Sequence, residues 1–473
     1  LYIFFNFFYK EIISYHMNCD ILLNLAIEKI RIDFGDLIAS LFRIISVNNN
    51  CFLSQLIFLL SHVSYRSIRV SVIVLFQYNL IAIEDYKCIH MEEIQSIKFS
   101  TVLSEAIYRI RYPRFIALIE YDYGFYGGAI LRSLLYYGQL YISIISKHSL
   151  FHSSKILKRV EDILIHMARD SLIVRSTFTP NSNFLSVSLV DKMSKNPLIS
   201  KPLFKSKSSS WKVLTTRFNF RLKLNILFSL LQEYQNFQIK HVIKFYMSRL
   251  LSTNIIFTYE TWISIDGISD FCKDGLIHLI LNDKFIVSSI ENLCFIDQSI
   301  SLQEFFFKVN LKEIEFFFRE KLIENLIVNQ FGKKFGVIFN LLSGKKIYEE
   351  KEILVKSGLN RIQTKTILYH MHRLSFIFLE DSQVDPMIPK NTRFWKIDFT
   401  TICKKFTNNT IKCLYNLLIR LENYYTIVKK LQESINQPFF NSKSKKISRF
   451  FYRIKTLLTG IIKLDEILNV LYF

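Results

Sequence analysis

The chain has 473 residues, half of them hydrophobic and 15% aromatic, so it can bury a large core and is not a disordered polypeptide. Its 61 Lys and Arg exceed its 40 Asp and Glu by a formal charge of 21, a balance that suits an anionic partner such as nucleic acid. Seven scattered cysteines, the nearest pair being Cys403 and Cys413, point to a reducing compartment, and the longest apolar runs, such as Ile68 to Phe76, fall short of the ~20 residues of a bilayer span, so secreted, collagenous and polytopic membrane classes are excluded.

The first Met is Met17, and residues 1–16 carry neither a basic n-region nor a small-residue cleavage site. Met17 therefore reads as the start of the protein and residues 1–16 as an over-extension. Residues 17–95 read as a helix, a short second helix and a third helix, closed by a β-rich stretch that ends at Glu84-Asp85. Asp33-Phe34-Gly35 mimics the metal-binding triplet of protein kinases, but its periodicity places it inside the first helix.

Residues 96–179 repeat the plan. Tyr126 to Tyr137 and Gln139 to Lys147 read as helical pieces, and Ser154 to Ala168 as a third helix with Ile156, Val160, Ile163 and Met167 at helical spacing. Leu172 to Arg175 then reads as a strand. Residues 180–210 form a basic Pro/Ser linker carrying Pro180, Pro197 and Pro202. In residues 211–300, Leu222 to Gln232 and Gln238 to Leu250 read as helices, and Phe285 to Ile290 with Leu293 to Ile296 as a β-hairpin around Glu291-Asn292. Residues 318–400 form a fourth unit, with a break at Pro386 and Pro389.

The tail, residues 401–473, differs. Ile411, Leu414, Leu418, Leu421, Tyr425 and Val428 make one apolar stripe; Pro438 interrupts, and Ile447 to Leu471 carries another. Two antiparallel helices packed on each other are the economical arrangement.

An internal repeat supports this division. Phe34-Gly35 and the residues after it match Phe331-Gly332 at an offset of 297, and Val74 to Asp85 matches His370 to Asp381 at an offset of 296. Three helices closed by a hairpin is the winged-helix plan. The expected fold is therefore mainly α, of the α+β type: four tandem winged helices followed by a coiled-coil helical hairpin.

Catalytic motifs are missing. Gly124-Phe-Tyr-Gly-Gly lacks dinucleotide-loop spacing, and Gly344-Lys345-Lys346 lacks both the upstream Gly and the Ser/Thr of a phosphate-binding loop. His370 and His372 have no Cys or carboxylate at ligand spacing, and no Cys-x-x-Cys occurs. The sequence thus predicts no enzyme activity, no metal and no cofactor. It does carry local charge: nine basic and no acidic residues from Lys192 to Gln232, and seven with none from Ser434 to Leu464. The third helix of a winged helix enters the major groove, which makes Arg66, Arg69, Lys155, Lys158 and Arg159 DNA-facing candidates. Lys205, Lys207 and Lys212 of the basic stretch join them. Leu418, Leu421 and Tyr425 of the tail are partner-interface candidates.

Arg109-Ile-Arg111-Tyr112-Pro113-Arg114-Phe115-Ile116, followed by the run from Gly127 to Leu140, resembles the third-largest subunit of nuclear RNA polymerase III. Asn18 to Asp85 resembles that family's first winged helix. Phe331-Gly332, Leu374 to Glu380 and Asn391 to Lys396 resemble its last, and Lys463 to Ile467 its terminal helix. The resemblance implies a nuclear, non-catalytic subunit of four winged helices and a coiled coil. It would form a heterotrimer with two other polymerase III-specific subunits on the clamp of the largest subunit. There it would contact DNA largely independently of sequence and assist promoter opening at genes such as those of tRNA and 5S rRNA, with no membrane role. The competing reading is a helical-repeat scaffold of the proteasome-lid or translation-initiation type, which carries one winged helix near its C-terminus.

Overall fold

The computed structural model describes residues 21–48, 51–84, 98–141, 154–176, 210–234, 263–264, 294–298, 305–309, 311–343, 347–381, 393–433 and 440–471. Contacts divide the chain into two compact units, one over Cys19–Val309 and one over Asn310–Phe473. The architecture is mainly helical, with small antiparallel sheets. Among the described residues no helix is long and apolar enough to cross a membrane.

In the first unit, α1 (residues 21–34) and α2 (Asp36–Val47) lead into β1 (Cys51–Phe52), α3 (Leu53–Leu59) and α4 (Tyr65–Gln77). The hairpin strands β2 (Ile81–Glu84) and β3 (Lys98–Thr101) follow. β3 lies between β1 and β2, pairing antiparallel with both. The same order recurs. α5 (Leu103–Tyr108), a 3-10 turn (Arg109–Arg111) and α6 (Tyr112–Tyr137) precede β4 (Gln139–Tyr141), α7 (Ser154–Arg169), β5 (Ile173–Ser176) and β6 (Ser210–Val213). β6 is again the middle strand. α8 (Thr215–Tyr234) precedes a third sheet of β7 (Ile263–Ser264), β8 (Cys294–Gln298) and β9 (Phe305–Val309), with β9 central.

The second unit holds α9 (Leu311–Phe331), α10 (Lys333–Leu342), β10 (Tyr348–Glu349), α11 (Glu350–Ser357), α12 (Arg361–Arg373), β11 (Ile377–Asp381) and β12 (Arg393–Ile397). The long helices α13 (Phe399–Glu433) and α14 (Phe440–Leu471) complete it. β12 is the middle strand of the fourth sheet.

Several expectations are corrected. Gln139 onward begins a strand, not a helix. Cys294–Gln298 pairs with Phe305–Val309, and residues 285–290 lie outside the described residues, as do 238–250. β3 closes the first sheet from beyond residue 95, and β6 closes the second from Ser210, the last residue of the 180–210 stretch, onward. The tail is not separate from the fourth sheet either. Ile402 and Phe406 of α13 and Leu471 of α14 share one core with Ile338, Leu368 and Trp395. The Arg319 Nε also donates to the Val470 carbonyl at 2.7 Å.

Asp33 and Phe34 end α1, inside a helix as the periodicity places them, but the helix stops there. Gly35 is the corner between α1 and α2, with φ 93°, ψ 174°. Gly332 repeats this between α9 and α10 at φ 98°, ψ 166°, and Gly124 bends α6 at φ 71°, ψ −173°. Each follows an aromatic residue (Phe34, Tyr123, Phe331), and four positions later stands a small one, Ala39, Gly128 or Gly336. The two arms cross so closely there that a Cβ at Gly336 would run into Val328, and one at Gly128 into Glu120. L-residues avoid this backbone region. Gly332→Ala is expected to cost about 1–3 kcal/mol, measured by urea unfolding. A change within about 0.5 kcal/mol, the level of an ordinary surface substitution, would remove the corner's special status.

A second recurring device ends the third helices. Asn79, Ser171 and Ser375 have φ of 57°, 55° and 53°. Each amide donates back into the last turn, to Phe76, Ala168 and His372, and the following residue does likewise, to Leu75, Met167 and Met371. Leu80, Leu172 and Phe376 then accept from Val102, Leu214 and Asp398, which ties the cap to the sheet's middle strand.

Asp398 also starts α13. Thr400 Oγ1 donates to its Oδ1 at 2.7 Å, the Thr401 amide donates to the same oxygen at 3.1 Å, and Thr401 Oγ1 donates to Oδ2. Burial pushes this carboxyl up, but the hydrogen bonds from Thr400 and Thr401 outweigh it and hold it below its ordinary value of 3.8. A depressed native value means stability that is fully present above that ordinary value and lost as pH falls through the native one. Asp398→Ala should therefore cost about 1 kcal/mol at neutral pH, and the gap in thermal unfolding should narrow below about pH 4. A gap that stays constant into that acid range would contradict a charged cap.

Candidate nucleic-acid interface

The third helices are amphipathic, and their buried faces fix their exposed ones. Ile68, Val72 and Leu75 bury one side of α4, as Val160, Leu164 and Met167 do on α7, and Thr364, Leu368 and Met371 on α12. On α4 this leaves Tyr65, Arg66, Arg69, Val70 and Ile73 exposed. Arg66 and Arg69 thus face solvent. Arg159 is exposed as well, beside the exposed carboxylates Glu161 and Asp162. Lys155 and Lys158 fall on the first turns of α7, where the backbone alone is described, and Lys205 and Lys207 lie outside the described residues.

Lys212 departs from expectation. It sits half-buried on β6, where burial pulls its ammonium below the ordinary value while Glu105 acts in the opposite direction. Burial also raises the Glu105 carboxyl, against the hydrogen bond it accepts from Thr215. The other described cations of this acid-free stretch are likewise committed. Arg221 bridges Asp122, Arg217 is buried with Asp170 as its counter-charge, and Lys223 is buried. The acids come from α5, α6 and the end of α7, so charge that looks unopposed along the chain is opposed in space.

The Arg109–Arg114 motif is likewise structural. Arg111 is 0% exposed; its guanidinium donates to Asn219 Oδ1 and lies 5.6 Å from the Tyr108 ring. Arg109 donates to Asp33 Oδ2 at 2.7 Å, with its guanidinium 4.5 Å from the Phe34 ring and 5.1 Å from those of Tyr78 and Tyr112. Asp33 also holds Lys29 at 2.7 Å. The kinase-like triplet thus spends its carboxylate on two cations, and its aromatic ring on one of them.

In the tail, Leu418 and Leu421 are buried in the contact of α13 with α14, so they pack within the chain rather than offering a partner surface. Tyr425 is 48% exposed. The two helices run antiparallel: Tyr424 meets Phe450 at 5.8 Å, and further from the turn Leu417 meets Gly460.

His372 Nδ1 is 3.0 Å from the Ile377 carbonyl, and His370 packs 5.5 Å from the Phe335 ring. Among the described residues no three His, Cys, Asp or Glu side chains gather as metal ligands would.

Sequence reasoning passed over α12. Its exposed residues include Arg361, Ile362, Tyr369 and Arg373, with Lys365 half-buried, and the helix contains no acidic residue. Lys333 and Lys334 line, with Ile362, Gln363 and Thr366, an apolar groove of about 510 Å³ beside it. The offset of 296 already maps Arg361–Arg373 onto Tyr65–Gln77; that was the available signal.

No family model matches the chain. A curated relative, DNA-directed RNA polymerase III subunit rpc3 of Dictyostelium discoideum, is 26% identical over 181 residues. The chain is similar to an RNA polymerase III subunit. The aligned stretch covers 37% of this chain and 27% of rpc3. Similarity to rpc3 agrees with the family that the sequence resembles.

Proposed function

We propose that this chain is the third-largest subunit of an RNA polymerase III, a non-catalytic component that works in the nucleus. Its helix-strand units, each with a sheet whose last strand is central, are winged helices, and α13 with α14 forms the coiled-coil hairpin. In this reading it joins two polymerase III-specific partners on the clamp of the largest subunit and contacts DNA through its backbone. Many weak phosphate contacts would offset the cost of bending and opening promoter DNA. The phosphoryl-transfer chemistry would belong to the large subunits.

The observation that carries this reading is the similarity to rpc3 in a chain whose unit order recurs from its first described helix to its last sheet. A scaffold with one C-terminal winged helix would not show the same plan near residue 20. The test is affinity purification of the tagged full chain with identification of what co-purifies. Recovery of polymerase III subunits is expected; recovery of proteasome-lid or translation-initiation components instead would overturn the assignment.

A further inference from the structure

The shared caps at Asn79, Ser171 and Ser375 bring the three third helices into register, so their solvent faces can be compared position by position. Arg69 of α4 corresponds to Glu161 of α7 and Lys365 of α12. Val70 corresponds to Asp162 and Thr366, and Ile73 to Ile165 and Tyr369. The centre of the α7 face is thus acidic, and that of the α4 face apolar beyond its two arginines. α12 carries Arg361, Lys365 and Arg373 with hydroxyl-bearing residues at its centre, and its exposed Ile362 stands where α4 has Arg66.

We infer that α12, together with Lys333 and Lys334, is the surface of this chain that seats duplex DNA, whereas α4 and α7 are not. The inference deepens the proposed function and rests on it for the expectation that the chain meets DNA. A helix of 13 residues is about 20 Å long, and a major groove about 12 Å wide admits it. Arg361 and Arg373 stand at its two ends, where such a helix meets the phosphates of both groove walls. Lys365 is 3.5 Å from Glu350 of α11, and both side chains are partly exposed, so the pair contributes little and can be exchanged for a phosphate. Lys333 and Lys334 occupy the first turn of α10, where the helix dipole opposes cations and favours anions. The matching turn of α2 carries Asp36. On α4, exposed Val70 and Ile73 would meet phosphate walls with nothing to donate.

The test uses the full chain and a fluorescently labelled mixed-sequence duplex of about 30 base pairs, with its single strand in parallel, at about 50 and 200 mM salt. R361Q/K365Q/R373Q should lose about tenfold or more in duplex affinity at low salt and lower the salt slope by about 3. R66Q/R69Q should bind as the parent chain does. All replaced side chains are solvent-accessible, and circular dichroism of each variant checks that it folds. Parental duplex affinity and slope in the α12 variant, an equal loss in R66Q/R69Q, a loss confined to the single strand, or a parent chain that ignores duplex would each overturn the inference. Co-purification of polymerase subunits with the parent chain reports separately on the proposed function, so either can fail without the other.

Discussion

Leu418→Asp combined with Leu421→Asp should destabilise the second unit by about 4 kcal/mol or more. Burying each leucine contributes about 1.5–3 kcal/mol, and a carboxylate at either buried position must be desolvated. The damage would not stay in the helical pair, because α13 and α14 enter the core of the fourth sheet through Ile402, Phe406 and Leu471. Urea unfolding of the full chain, followed by helical circular dichroism, measures the loss. Tyr425→Asp, on the exposed side of the same helix, should stay within about 0.5 kcal/mol. Equal effects for the two variants would mean that the stripe does not pack as described.

Arg111→Ala is the second large loss, expected at about 3–5 kcal/mol. It empties the volume of a fully buried long side chain and takes the donor away from Asn219, which is itself buried. Arg111→Lys should recover less than half of that loss, because a point ammonium cannot reproduce a planar fork that bonds on one edge and lies against Tyr108 by its face. If Arg111→Lys melts with the parent chain, positive charge alone suffices there and the guanidinium geometry is immaterial.

The elements most legible in the sequence were those decided locally. Val160, Leu164 and Met167 announce α7 by period, and the match of Val74–Asp85 with His370–Asp381 announces a shared helix, cap and strand. What escaped depended on distant partners. Gln139–Tyr141 is a strand because Ser210–Val213 pairs with it; the local signal was Gly138, which caps α6 at φ 79° and ends the helix just before it. Asp33-Phe34-Gly35 fitted a helical period on both sides, and only the glycine marked the corner. The third copy of that corner was hidden because Tyr123 replaces Phe and the glycines after it invite comparison with nucleotide loops.

Charge was misread for a related reason. Lys212, Arg217 and Arg221 form a basic run along the chain, yet Glu105, Asp170 and Asp122 arrive from other elements to oppose them. The DNA-facing candidates on α4 and α7 were chosen by the presence of cations. Their solvent faces also carry apolar or acidic neighbours, which only the burial pattern brings together.

The Arg109 tie has a mechanical consequence. The guanidinium is wedged among Phe34, Tyr78 and Tyr112 and bonded to Asp33. Beside it, Gln77 Nε2 and the Tyr78 hydroxyl donate to the carbonyls of Tyr137 and Tyr136. These contacts meet at Tyr78 and tie the α1–α4 module to the 3-10 turn and to the end of α6, so a pivot between the two would have to break a charge-assisted hydrogen bond and two neutral ones together.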